Sequence, residues 1–338
     1  MDCLHGHART YTLFATARIA TSTTQQPQWL PVGTRVPPGQ AISAPPEPYD
    51  PAKHGPALPA PTDEVNLAAR PDFVPPPKRV PTGPNPPPPG SGDRGIGWSQ
   101  ITKPWYGAYS VYDVQWNLYI DTVFAGEPGA FIYAPTTLAA GGTCIEITQV
   151  YERLRGVAAT KKVFGLYDWC QSDPNQRWAL LEDEEDSVFK TRYVRSYQGR
   201  DTYSVAVVTP NTGHTSGQCW YAHIYNYEVG GWVQRLVSCG TSYSGTGNAG
   251  WTIWESWFTA NDNVCRTYPS IRALDIALAD PDSAKFLPFT NYPQDHWNHA
   301  PNGMYCWSGP DIWGTIYTFE FPVPGLAANT WRGDTPNP

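Results

Sequence analysis

The chain has 338 residues, 36 of them proline and 30 glycine, with 14% aromatic and 16% charged residues and a formal net charge of −7. The acidic balance and the lack of any basic block argue against a nucleic-acid partner, and no apolar run approaches the length of a membrane span. High aromatic and low charged content point to an extracellular β-rich protein.

Residues 1–96 are expected to be extended. The first 95 hold 21 of the 36 prolines, including Pro75-Pro76-Pro77 and Pro86 to Pro89, without a sustained hydrophobic period. Such a segment builds no core of its own. Three roles compete for it: a propeptide, a linker to a surface, or an assembly arm for self-association. Thr10 to Thr23 is mildly apolar, but Arg18 interrupts it and no clean leader pattern emerges. Secretion is therefore argued from the cysteines.

From Gly97 the composition turns to short alternating runs separated by turn residues. Strands are predicted over 109–123, 131–133, 143–151, 162–169, 188–197, 202–209, 219–227, 232–238, 251–258, 271–278 and 315–321. Glu182 to Asp186 reads as a solvated acidic bend. Ser283 to Phe286 is the one short helix candidate, and Pro281 to Pro310 reads as a long loop carrying His296, Trp297 and His299. The expected architecture is an all-β, two-sheet antiparallel sandwich of jelly-roll or concanavalin-like curvature over residues 97–325, with a C-terminal tail at 326–338.

Six of the seven cysteines lie in this domain and form no CxxC. Cys219 and Cys239 are symmetric about Val229, inside the turn sequence Glu228-Val229-Gly230-Gly231, so a hairpin sets them opposite each other. Cys144 and Cys170 are symmetric about Val157, beside the break at Arg155-Gly156. Two cross-strand disulfides follow, with Cys265–Cys306 by elimination, and they imply an oxidising, extracellular compartment.

Two strands carry a carboxylate among apolar residues. In Gly250 to Phe258, Glu255 shares a face with Trp251, Ile253 and Trp257. In Cys144 to Tyr151, Ile145, Ile147 and Tyr151 mark one face, and Glu146 lies on the other with Cys144 and Thr148. Burying one such group ionised and alone costs several kcal/mol, roughly. Two brought together share a proton, a device for acid–base work on water. Structural carboxylates hydrogen-bonded to Tyr, Trp or Arg are the plain alternative.

Gly142 to Glu146 with the aromatic run around Phe164 to Trp169, the hairpin Cys219-Trp220 to Trp232, the pair Trp254-Glu255 and the strand Ile271 to Asp275 together resemble the neprosin-type glutamic peptidases. More distantly, Ile253 to Trp257 is similar to the glutamate strand of the eqolisins. The resemblance implies a β-sandwich and a propeptide ahead of it. It also implies peptide-bond hydrolysis at acidic pH by Glu146 and Glu255, without metal or other cofactor. One glutamate would act as general base on water and the other, protonated, would serve the oxyanion and the leaving amine.

Two other readings use the same residues. Paired glutamates on a curved sheet, with Trp251, Trp257, Trp220 and Trp232 as stacking platforms, also suit a β-sandwich glycosidase with a polysaccharide substrate. A disulfide-stapled sandwich with a proline-rich arm suits a non-enzymatic carbohydrate-binding, adhesive or fibre-forming subunit. Wide separation of Glu146 and Glu255, or burial with no groove above them, would favour this last reading. Asp295-His296-Trp297-Asn298-His299 lacks the ligand set of a known metal motif. No GxGxxG, P-loop or nucleophile-elbow sequence is present.

Overall fold

The computed structural model describes residues 45–70, 93–101, 107–120, 129–139, 143–209, 218–240, 250–258, 270–279, 285–289, 296–299, 304–307, 313–320 and 331–334. Residues 93–101, 250–258 and those from 296 onward are described by backbone alone. The first elements are a one-turn helix α1 (Pro51–His54), β1 (Asp93–Ile101), β2 (Gly107–Asp113), β3 (Gly129–Leu138), β4 (Ile145–Leu154), β5 (Lys161–Asp168) and β6 (Trp178–Asp183). They are followed by the helix α2 (Ser187–Tyr193), β7 (Arg195–Tyr197), β8 (Arg200–Val208), β9 (Cys219–Asn226), β10 (Gly231–Cys239) and β11 (Gly250–Phe258). The last are β12 (Ile271–Ala279), β13 (Phe286–Pro288), β14 (His296–His299), β15 (Met304–Trp307), β16 (Trp313–Glu320) and β17 (Trp331–Asp334).

These strands form two antiparallel sheets. One runs β14-β1-β11-β3-β4-β5-β6; the other runs β10-β9-β8-β2-β12-β17-β16-β15, with β13 on β12 and β7 on β8. The expected two-sheet all-β sandwich is the observed fold. Alternation explains the layers: Ile145, Ile147 and Tyr151 of β4 join Tyr203, Val205 and Val207 of β8 in the core between the sheets, beside Trp220, Ala222 and Ile224 of β9. The opposite face of the seven-stranded sheet has its own buried cluster, with Phe131, Tyr133, Val150, Tyr167, Trp169 and Trp178. Trp178 reaches across β5 because Gly165 leaves room: a Cβ there would stand 2.6 Å from its ring. The outer face of the other sheet buries Tyr109, Val111, Ala206 and Trp232.

Both cysteine pairs that can be checked are joined, Cys144–Cys170 and Cys219–Cys239. The second closes the β9–β10 hairpin, where Cys219 lies opposite Cys239 and Gly230 takes the left-handed conformation at φ 66°. Cys265–Cys306 falls outside the residues whose side chains are described.

Several expectations are corrected. Residues 187–193 are helical, because the Asp186 side chain accepts the Val188 N–H at 2.7 Å and starts a turn that buries Phe189 and Tyr193. The acidic bend is not solvated throughout: Glu182 and Glu184 are buried. Phe286–Pro288 is a strand, and two further strands, β14 and β15, lie within the expected loop, with His296 and His299 on β14 beside β1. β17 falls in the expected tail, yet pairs with β12 and β16.

Part of the proline-rich extension is also structured. Residues 45–70 form a strap over the body. Tyr49 stacks on His223 at 4.2 Å, Leu58 bridges Val233 on the edge strand β10, and Leu67 joins the outer cluster of the other sheet. Asn66 donates to the Ala179 carbonyl and accepts from the Leu181 N–H, both at 3.1 Å, fixing the strap to β6. The strap thus pairs with or covers two sheet edges that would otherwise be open.

Candidate active site

Glu146 lies near the start of β4, opposite Tyr167 of β5. It is fully buried, and Trp169 donates its Nε1–H to Glu146 Oε2 at 2.9 Å. The geometry around that donor is tightly built. The Trp169 N–H donates to the Cys144 carbonyl at 2.6 Å, and Cys144 is in turn bonded to Cys170, the residue after Trp169. Asp168, on the other side of Trp169, accepts from Ser238 Oγ at 2.7 Å, which ties this corner to the other sheet.

Glu255 lies on β11, opposite Tyr133 of β3, while Tyr133 is opposite Val150 of β4. Directly opposed residues of antiparallel strands share a face, so positions 146 and 255 fall on the same face of the same sheet. They do not fall side by side. Position 255 is level with Val150, four residues from Glu146, with β3 between. Four residues and two strand spacings amount to about 13 Å along the strands and about 10 Å across, or about 16 Å between backbone positions. Trp251 and Trp257 occupy the same strand, opposite Leu138 and Phe131.

Trp220 and Trp232, expected as stacking platforms, lie on β9 and β10. Trp220 is buried in the core between the sheets, and Trp232 is buried on the outer face of the other sheet, edge-on to Tyr49 of the strap. Both belong to the sheet that does not carry Glu146, and neighbouring side chains pack over them.

The structure adds a carboxyl that the sequence reading missed. Glu152 lies on β4 opposite Phe131, the partner of Trp257, and is fully buried. Neither of its carboxylate oxygens has a hydrogen-bond partner. Burial pushes its pKa up to about 7, with Lys161 lowering it and Asp183 raising it. Register places Glu152 two residues from the level of position 255, about 7 Å along the strands. Its signal was available: Glu146, Thr148, Val150 and Glu152 alternate on one face of one strand.

Other buried carboxyls are engaged. Asp113 meets Arg200 at 3.0 Å and Arg272 at 3.2 Å, and Glu184 accepts from Tyr203 at 2.7 Å and Gln149 at 2.9 Å. Among the described residues, one group of potential metal ligands lies close together, Cys144, Asp168 and Cys170, and both sulfurs are consumed by the disulfide.

No family model matches the chain, and no curated protein matches it. Two solved structures of scytalido-glutamic peptidase are similar to it. One, with a peptide-based transition-state analogue, has a TM-score of 0.38 at 9% identity and covers 72% of this chain and 98% of its own. The other, with a transition-state analogue inhibitor, has a TM-score of 0.39 at 11% identity and the same coverage. Both of these structures are of a glutamic peptidase of the eqolisin type.

Proposed function

We propose that this chain is a secreted glutamic-peptidase-like hydrolase that cleaves polypeptides at acidic pH with carboxyl groups on the outer face of its seven-stranded sheet. One observation supports this most: two buried glutamates alternate on that face of β4, and they are held differently. Glu146 receives a hydrogen bond from Trp169, while Glu152 has none and retains its proton up to about pH 7. A carboxyl that accepts a hydrogen bond and one that retains its proton are the two kinds of group that acid–base hydrolysis uses, and position 255 lies between their levels, four residues from 146 and two from 152. Position 255 on β11 faces the same side, so Glu255 and Glu146 remain the proposed pair and Glu152 the carboxyl nearer to 255 in register.

The test is digestion of a denatured protein by the purified chain from pH 3 to 7, read by mass spectrometry, beside the variants Glu146→Gln, Glu255→Gln and Glu152→Gln. New peptides at acidic pH that vanish in the first two variants support the Glu146–Glu255 pair. Loss in Glu255→Gln and Glu152→Gln, with Glu146→Gln active, moves the pair to 152 and 255. A second reading, a non-enzymatic binding or structural subunit, is favoured by the complete burial of Glu146 and by the four-residue offset from 255. Absence of cleavage by both the full chain and a form lacking residues 1–92 decides for it.

A further inference from the structure

A cavity of about 290 Å³ opens where the strap meets the edge of the seven-stranded sheet. The strap contributes Asp63, Glu64, Val65, Leu67 and Arg70; β6 and its turn contribute Glu182, Asp183 and Asp186, and α2 contributes Val188 and Phe189. Its carboxylates are mostly occupied. Asp63 and Glu64 are held by Arg192, at 2.7 and 3.1 Å, and Arg235 stands between Glu64 and Glu182. Asp183 and Asp186 accept the N–H groups of Glu185 and Val188. Two buried acceptors are left without a hydrogen bond, Glu64 Oε2 and Glu182 Oε2; Arg235 stands against Glu64 Oε2 as an ion pair, and against Glu182 only at Oε1, so Glu182 Oε2 is the more open of the two.

A divalent cation needs six or more oxygens in a hard, polar shell. Here the guanidinium groups of Arg192 and Arg235 already stand against Asp63, Glu64 and Glu182, and Val65, Leu67, Val188 and Phe189 give the wall an apolar side. That combination suits an ammonium group on a short hydrocarbon chain. The volume is near the lower end for small-molecule sites and holds a chain of about five carbons. We propose that this cavity binds a primary alkylammonium group, with Glu182 Oε2 as the acceptor of its N–H bonds. The site is separate from the proposed hydrolase face: Glu182 lies opposite Phe164 of the inter-sheet core, whereas Glu146 lies opposite Tyr167.

The proposal carries a proton linkage. Burial chiefly, and then the charge of Glu64 and the hydrogen bond that protonated Glu182 shares with it, push the pKa of Glu182 up to about 8 against the opposing pull of Arg235. The charged and titratable groups around it are Asp183 on its own strand, Asp63, Glu64 and Arg70 on the strap, Asp186, Arg192 and Tyr193 at α2, and Arg235 on β10. An ammonium ion at Oε2 takes the place of the proton that Glu182 otherwise retains. Binding therefore releases a proton and strengthens as pH rises from 6 to 8.5, while an alkylamine, with a pKa of about 10.4 like lysine, stays charged.

Calorimetric titration of the full chain with n-pentylamine at pH 6, 7 and 8.5 tests this, with n-pentanol as the neutral counterpart and N-acetyl-lysine amide as a lysyl side chain. The expected result is saturable binding of the amine, about tenfold or more tighter at pH 8.5 than at pH 6, with none for the alcohol. Binding of the lysine amide as well assigns the site to a lysyl side chain; exclusion of it assigns the site to a free amine. Glu182→Gln should weaken the amine about tenfold or more. Val188→Trp, which fills the cavity from the exposed start of α2 without touching an ion pair, should abolish binding. Equal binding of amine and alcohol, undiminished binding in Val188→Trp, or binding that weakens with rising pH overturns the proposal. None of these readouts depends on hydrolase activity.

Discussion

Glu152 and Glu184 have the same proton affinity and opposite circumstances. Both are fully buried, and burial pushes each pKa up to about 7. Glu184 lies between the sheets, where Tyr203 donates to Oε1 and Gln149 to Oε2. Gln149 Oε1 has no partner of its own, so a turn of that amide lets it accept from Glu184 once the acid is protonated. Both protonation states of Glu184 are thus served. Glu152, on the other face of the sheet, has neither oxygen paired in either state. A raised pKa by itself therefore does not separate a structural carboxyl from a poised one; hydrogen-bond satisfaction does.

The largest expected effect tests the satisfied member. Glu184→Ala leaves a hole and strands the Tyr203 hydroxyl and the Gln149 amide, at a cost of about 4 kcal/mol at pH 5. Urea denaturation measures it, and a cost under about 1 kcal/mol would place the network outside the fold's stability. Glu152→Gln should do the reverse. Because the folded-state pKa lies above the ordinary value of 4.5, the folded protein retains a proton that the unfolded chain releases, and stability falls as pH rises from 4.5 to about 7. The amide removes that loss. The variant should equal the parent near pH 4.5 and exceed it by about 3 kcal/mol above pH 7. Equal stabilities at pH 8 would mean that Glu152 has a counterion after all.

Trp169→Phe comes next. It keeps the ring in its cluster and removes the N–H that Glu146 accepts, costing about 2 kcal/mol. A double-mutant cycle with Glu146→Leu separates the two parts of the effect: the packing change is common to both backgrounds, and the hydrogen-bond part appears as the coupling.

How much of this was legible in the sequence follows from how local each signal is. Strand alternation and the symmetric spacing of Cys219 and Cys239 are local, and they led to the sandwich and to a hairpin whose cysteines are paired in register. The faces of β4 were legible for the same reason, with Ile145 and Ile147 inward and Glu146 outward. The offset between 146 and 255 was not, because register depends on β3, which stands between them and carries an extra residue against both neighbours. The helix at 187–193 was hidden by β-prone Val188, Phe189 and Tyr193; the Asp186 cap and the burial of two aromatics outweighed propensity. The strap was hidden because composition speaks for the segment as a whole. Its anchors, Tyr49, Leu58 and Leu67, find apolar partners only on surfaces that long-range folding builds.

The smallest expected effect bears most directly on the two faces of β4. Gln149→Met keeps the volume of the side chain and removes one donor to Glu184, leaving Tyr203 to satisfy it, so the cost should be about 1 kcal/mol. Gln149 and Glu152 are three residues apart but point to opposite sides of the sheet and share no hydrogen-bond partner. The double variant Gln149→Met/Glu152→Gln should therefore equal the sum of the two single variants within about 0.5 kcal/mol at every pH. A larger coupling that appears only above pH 7 would mean that the charge on Glu152 is felt by Glu184 through the strand. The two carboxyls would then titrate as one unit, and the separation of a structural inner face from a chemically poised outer face would fail.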